Sequence, residues 1–203
     1  MNNAIPKQFL LLNGRPVLMH TIERFSSMDA IVVVLPAAQI ETWKSLVSAH
    51  CFTAKHTVTA GGTSRYLSVK NGLAMAGDEG IIAVHDGVRP LVSEELIARC
   101  VSAAEDHGTA IPVISVPESV RSKQDGGSKA EDRSRFMLVQ TPQCFRASYA
   151  ASAYSKEDDA AFTDDATVLE AAGIPIHLVD GERWNIKVTF PEDLEVAAGL
   201  LKK

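Results

Sequence analysis

Cysteine is scarce in this 203-residue chain, and the three present, Cys51, Cys100 and Cys144, form no C-x-x-C pair and no zinc-type spacing. An odd number of unrelated thiols excludes a disulfide-stapled scaffold or a zinc finger. It fits reduced cytosolic cysteines, with Cys100 expected in a helix core. Long apolar runs are lacking as well. The stretches 30–38, 81–84 and 110–116 fall far short of the roughly 20 residues that cross a bilayer. Positive charge is not in excess: 20 Lys and Arg stand against 25 Asp and Glu, for a net charge of -5. A general nucleic-acid binder would carry a basic face, so that class is not expected. A few cations gathered in one cleft can still hold a small anion. No secretory leader is expected either, because residues 1–6 are polar and Lys7 follows without a hydrophobic region. No repeat or low-complexity tract is present. The remainder, 46% hydrophobic and 22% charged, is ordinary for one globular domain with a sizeable core.

The pattern alternates helix and strand. Residues 16–26 read as a helix with Val17, Leu18, Ile22 and Phe25 on one face, 30–35 as a buried strand, and 39–49 as a helix. A short strand over 56–59 ends at Gly61-Gly62 and a helix covers 64–76; the next strand is 81–84. Ser93 caps a helix that carries Glu94 and Glu95 in its first turn and stops at Gly108. Residues 109–116 follow as another strand. Such alternation predicts an α/β fold with a mostly parallel twisted sheet and right-handed crossovers. After Val116 the chain turns polar, with Gly126-Gly127 between candidate strands 119–122 and 135–140, which predicts a two-stranded arm over about 117–140. A lone ribbon is marginal in water, so the arm is expected to pack on a second subunit. Helices are expected over 147–154, 163–172 and 190–201, with strands over 176–179 and 185–188.

The most informative segment is Val84-His85-Asp86-Gly87-Val88-Arg89-Pro90, directly behind the apolar run Ile81-Ile82-Ala83. In open α/β sheets ligands bind outside the carboxyl ends of the strands. Asp86 and Arg89 therefore stand where a sugar hydroxyl, a metal ion or a phosphate would sit. A strand–turn with a surface Asp–Arg pair reads this heptad equally well. Gly61-Gly62, opening a helix, lets the backbone approach a ligand closely, although an ordinary strand-to-helix turn has the same composition. Lys7 and Lys187, at opposite ends of the chain, read as either ligand cations or snorkelling surface lysines.

Six segments need one explanation: Pro6-Lys7-Gln8-Phe9; Ala60-Gly61-Gly62-Thr63-Ser64-Arg65 with Ser68-Val69 and Gly72-Leu73; Val84 to Pro90; Gln140-Thr141-Pro142-Gln143-Cys144-Phe145; Thr163-Asp164-Asp165-Ala166; and Asn185-Ile186-Lys187-Val188-Thr189 with Pro191-Glu192-Asp193-Leu194. In this order and spacing the chain resembles the 2-C-methyl-D-erythritol 4-phosphate cytidylyltransferases, from Pro6 to its end. The resemblance implies a Rossmann-like three-layer nucleotidyltransferase fold, a single domain over 1–203, a cytoplasmic setting and a role in isoprenoid precursor synthesis. The implied reaction joins CTP to a methylerythritol phosphate with release of pyrophosphate, using Mg²⁺ or another divalent cation. It places Lys7 and Lys187 as catalytic ammonium groups at the α-phosphate, a task suited to a point charge. It assigns Gly61, Gly62, Ser68, Asp86 and Gly87 to the nucleotide, Asp86 also to the metal, and Arg89 to support nearby. Ser119, Arg133 and Thr141 are assigned to the sugar phosphate. Ser119 and Arg133 lie in the arm, which the resemblance sends across to the other subunit of a homodimer; no membrane or nucleic-acid partner is implied.

The chain departs from the family pattern at three places. Gly87-Val88 replaces two alanines, and Ser119 replaces the usual threonine. The family also carries a strand and a glycine-rich loop ahead of the Pro-Lys-Gln segment, and no such pattern precedes Pro6. A chain without that strand is expected to leave unpaired backbone and apolar helix faces in its sheet. Without the loop it is expected to hold CTP weakly. Two other readings stay open: a cytidylyltransferase for a pentitol phosphate of the ribitol 5-phosphate type, and a truncated, non-catalytic dimeric relative.

Overall fold

The computed structural model describes residues 5–155 and 161–201. A hairpin opens it, β1 (Leu11–Leu12) and β2 (Arg15–Pro16), closed by Asn13 and Gly14, both at positive φ (50° and 83°), the conformation that an Asn-Gly turn supplies. Helix α1 (Val17–Arg24) follows, burying Val17, Leu18, Met19, Thr21 and Ile22. Then come β3 (Val32–Leu35), α2 (Ile40–Ala49), β4 (Thr57–Ala60), α3 (Arg65–Ala76) and β5 (Ile81–Val84). Helix α4 (Glu94–His107) starts where the Ser93 hydroxyl accepts the Leu96 amide and ends at Gly108, φ 90°, a left-handed stop that glycine adopts without strain. The second half holds β6 (Thr109–Ser115), β7 (Val120–Gln124), β8 (Gly127–Glu131), β9 (Met137–Val139), β10 (Gln143–Arg146), α5 (Ala150–Ala153), α6 (Asp165–Ala171), β11 (Leu178–Asp180) and α7 (Pro191–Leu200).

The sheet is mixed rather than mostly parallel. Its order is β11-β6-β10-β5, with β9 also on β6. Strands β11 and β6 pair in parallel, but β10 runs antiparallel between β6 and β5, and β9 is antiparallel to β6. Segments β9 and β10 lie along the same strand β6, with the register slipping by two residues across the break at 140–142. A strand at 143–146 was not anticipated because its apolar content is only Cys144 and Phe145, too little for a period to show; both are fully buried. Strands β3 and β4 form a separate parallel pair.

Two other expectations need correction. The arm is a hairpin of β7 and β8 turning at Asp125-Gly126, whereas Met137–Val139 joins the main sheet. The candidate strand at 135–140 was right in type and wrong in partner, since composition carries no pairing information. Residues 185–188 form no strand; their apolar and polar alternation is that of a segment laid over the core, with Asn185 and Val188 buried and the Val188 amide donating to the Val88 carbonyl (2.9 Å).

Among the described residues, no strand pairs with the edge of β3 away from β4 or with the edge of β5 away from β10. A cleft of about 750 Å³ lies between them, walled by Val32–Leu35 and Ile81–Val84 and by α1 (Leu18, Ile22) and α3 (Val69, Leu73). The carboxyl ends of both strands open toward Lys7, Arg65, Ser68, Asp86 and Lys187, which line the same cleft.

Candidate active site

Asp86 leaves the carboxyl end of β5 and is the hub of the site. Its Oδ2 accepts from Arg89 Nε (3.1 Å) and faces Lys187 Nζ (3.2 Å). Burial by itself would raise the Asp86 carboxyl; Lys187 and Arg89 outweigh it and hold the group below the ordinary carboxylate range. Arg89 in turn donates to the Asn185 carbonyl (2.7 Å), and Asn185 Nδ2 donates to the Thr141 carbonyl (2.8 Å). Lys187 is thus delivered by a buried asparagine and two arginine contacts rather than by a β-ladder. Its side chain is 44% exposed, so two of its three N–H donors remain for a ligand.

Beneath Asp86, the Thr141 hydroxyl accepts the Asp86 amide (3.1 Å) and meets His85 Nδ1 (3.0 Å), while His85 Nε2 faces the Arg89 carbonyl (3.2 Å). Burial pushes His85 down to about 4. The neutral ring with its proton on Nε2 satisfies both contacts, the threonine donating to Nδ1. Thr141 is 5% exposed, so it acts here as a strut under Asp86. The Gly87 carbonyl accepts from Thr21 Oγ1 (3.1 Å), and a Cβ at Gly87 would sit 3.0 Å from Leu18 Cδ1.

Arg65 and Ser68 reach the cleft from α3, behind the turn that leads from β4 into that helix. Gly61 donates to the Leu35 carbonyl (2.8 Å), the Gly62 amide to Ser68 Oγ (3.1 Å), and Ser68 Oγ to the Ser64 carbonyl (2.7 Å). A Cβ at Gly61 would fall 2.8 Å from Ser68 Oγ, and one at Gly62 2.3 Å from Leu67 Cβ with Leu67 backbone at 3.2 Å. Glycine is required there by close packing. Lys7 enters from the short 3-10 turn Lys7–Phe9, anchored by the buried Phe9, which stacks on Trp43.

The fold brings Lys7, Lys187, Ser68 and Asp86 to one cleft; Gly61 and Gly62 reach it through Ser68. It does not bring Ser119 or Arg133 there within one chain. Both are exposed at the base of the arm, where Arg133 Nη1 donates to the Pro117 carbonyl. Two residues with no assigned role emerge from the structure: Arg65 on the cleft wall and its fully buried partner Asp165. They stand 100 positions apart, so no spacing could have joined them.

Among the described residues no three His, Cys, Asp or Glu side chains gather as a metal cage. The donor set still suits a hard divalent cation of the magnesium type, which is commonly held by one or two carboxylates with the remaining positions filled by water and substrate phosphates. Asp86 is such a carboxylate, and its Oδ1 takes no hydrogen bond from the described residues.

Comparison with known proteins identifies the family. The profile of the 2-C-methyl-D-erythritol 4-phosphate cytidylyltransferase family fits residues 1–203. The enzyme of that name from Bacteroides thetaiotaomicron is 48% identical over 204 residues, covering 99% of this chain and 93% of the relative, and that from Porphyromonas gingivalis is 48% identical over 198 residues, covering 97% and 89%. The crystal structure of the Thermus thermophilus enzyme superposes with a TM-score of 0.84 at 32% identity, covering 98% of this chain and 94% of that one. A cleft between two strand ends, with a carboxylate between two cations at one of them and the start of α3 reaching in behind a packed glycine turn, is set in a chain that belongs to the 2-C-methyl-D-erythritol 4-phosphate cytidylyltransferase family.

Proposed function

We propose that this chain transfers the cytidylyl group of CTP to 2-C-methyl-D-erythritol 4-phosphate, forming the CDP-linked methylerythritol and pyrophosphate in isoprenoid precursor synthesis. The observation that carries the reading is Asp86 set between Lys187 and Arg89 at the strand end, in a cleft also lined by Lys7 and Ser68. A sugar-phosphate oxygen attacks the α-phosphorus; its new P–O bond forms as the bond to the β-phosphate oxygen breaks, and pyrophosphate leaves with that electron pair. Negative charge builds on oxygens around the α-phosphorus, where fixed cations are most effective. Lys187, oriented by Asp86, supplies one ammonium group and Lys7 the other. The tight Gly61-Gly62 turn and Ser68 receive the base and ribose, and Asp86 with Gly87 the ribose side. Asp86 would hold a divalent cation such as Mg²⁺, which would supply further positive charge near the phosphorus.

The sugar phosphate is assigned to Ser119 and Arg133, presented by the arm to the site of a second subunit in a cytoplasmic homodimer, and to the Thr141 strut. Exposed Phe136, Met137, Leu138 and Val139, 44–54% accessible, form an apolar strip at the arm's base that suits a subunit contact. The test is pyrophosphate release with CTP and Mg²⁺ and each sugar phosphate in turn. At CTP concentrations high enough to offset weak binding, release is expected with methylerythritol 4-phosphate and little with ribitol 5-phosphate. Preference for ribitol 5-phosphate would replace the sugar assignment, and release with neither would reject the transferase.

A further inference from the structure

The two walls of the cleft belong to different sheets. Asp86 continues from β5 in the main sheet, whereas Gly61 and Gly62 continue from β4, paired only with β3. Among the described residues no backbone ladder joins these sheets; α3 spans them through an apolar cluster that includes Tyr66, Leu73, Ile82 and Phe145, and through one ion pair.

Arg65 begins α3, three residues beyond Gly62, and lines the cleft with Asp86 and Lys187. Both its Nη atoms donate to Asp165, Nη1 to Oδ1 at 3.0 Å and Nη2 to Oδ2. Tyr154 Oη adds a third donor to Oδ1 at 2.6 Å. Asp165 is 0% exposed and opens α6. The start of α6 is bound to the main sheet through Gln143 of β10: Gln143 Nε2 donates to Asp164 Oδ2 (3.0 Å), and Gln143 Oε1 accepts the Ala166 amide (2.9 Å). Gln143 pairs directly with Val84, two residues before Asp86. A continuous path therefore runs from the glycine turn through Arg65, Asp165, α6 and Gln143 to the strand that bears Asp86.

We propose that Arg65 and Asp165 are positioning residues for CTP, a two-pronged brace that holds the glycine turn at its working distance from Asp86 and Lys187. A bidentate guanidinium–carboxylate pair fixes direction as well as distance. A buried ion pair is often no more stabilising than apolar residues of similar volume, so its placement between the two walls of the site points to geometry as its contribution. The stacking of Tyr66 on Tyr154 (5.1 Å) packs beside the brace and gives α3 an apolar hold that survives its removal.

This inference rests on the cytidylyltransferase reading, and the experiment separates the two. The double variant Arg65→Met with Asp165→Leu removes both charges and keeps the volume. Its melting temperature is expected to change little, the lost acceptor of the Tyr154 hydroxyl offsetting the relief of no longer burying two charges. Amide exchange at Gly62 and Ser68 should be roughly tenfold faster or more, that at Ile82 and Val84 unchanged, and KM for CTP should rise about tenfold with a smaller change in KM for the sugar phosphate, as misplacement of a binding element costs affinity and rate. A folded double variant with wild-type exchange and wild-type KM would overturn the proposal. Should the double variant not fold, Arg65→Lys keeps the charge without the fork; faster exchange at Gly62 is expected, and wild-type exchange would again overturn the brace. The exchange readout needs no turnover, so an inactive wild-type chain would count against the function while leaving the brace under test.

Discussion

At the residue scale, the site is a set of charges whose partners are mostly distant in sequence. Lys187 shares Asp86 Oδ2 with Arg89, and its assigned task concerns charge that develops only during reaction. Lys187→Ala is therefore expected to lower kcat by about 100-fold or more with a smaller effect on CTP affinity, the size of one electrostatic transition-state contact; steady-state kinetics with a circular-dichroism check of folding measures it. His85 carries a second prediction. Its pKa is lowered from 6.5 to about 4, so the unfolded chain takes up a proton in this window while the folded protein does not. Stability is then full above pH about 6.5 and declines as pH falls toward about 4, by at most about 1.4 kcal/mol per pH unit for one proton. Urea titrations of the metal-free protein across that range should show the slope, and His85→Asn should flatten it. Asp86 and Gly61-Gly62 were legible as candidates because each sits in a short motif at a strand end, and Lys7 through its place in the Pro6-Lys7-Gln8-Phe9 motif. Arg65–Asp165 and the Thr141–His85 strut were not, because each pairing exists only after distant segments are folded together.

At the element scale, the helices were the most legible. Ser93, Glu94 and Gly108 mark the ends of α4 by local hydrogen bonding alone. Strand pairing was less so: the arm's second strand is Gly127–Glu131, a polar run whose only signal is the preceding Asp125-Gly126 turn. That hairpin sets a third prediction. Deleting the tip, residues 122–129, should weaken self-association in sedimentation velocity and raise KM for the sugar phosphate more than KM for CTP. An intact chain that sediments as a monomer at tens of micromolar would remove the arm from the site.

At the scale of the whole molecule, the cleft between β3 and β5 leaves two strand edges without a partner among the described residues. In β3 the amides of Val33 and Leu35 lie on the β4 side, as the Leu35 carbonyl's bond to Gly61 indicates, leaving those of Val32 and Val34 toward the cleft. In β5 the Gly80 carbonyl accepts from Ala147, so Ile82 and Val84 alternate toward β10, and Ile81 and Ala83 face the cleft. Amide exchange of the ligand-free protein is expected to be faster at Val32, Val34, Ile81 and Ala83 than at their immediate neighbours, a pattern that residue-resolved NMR exchange would show. By itself the sequence determined the elements that depend on local physics: capped helices, β-branched strands, glycine turns, and the order of motifs that carries the family. Those signals act over a few residues and survive without a tertiary frame. Only the tertiary structure decided that β10 runs antiparallel between β5 and β6, that Lys187 is held by a buried Asn185 rather than a ladder, and that Arg65 reaches Asp165. Pairing partners, sheet direction and buried ion pairs arise from contacts between segments far apart in the chain, and a local pattern holds no record of which distant edge or charge it will meet.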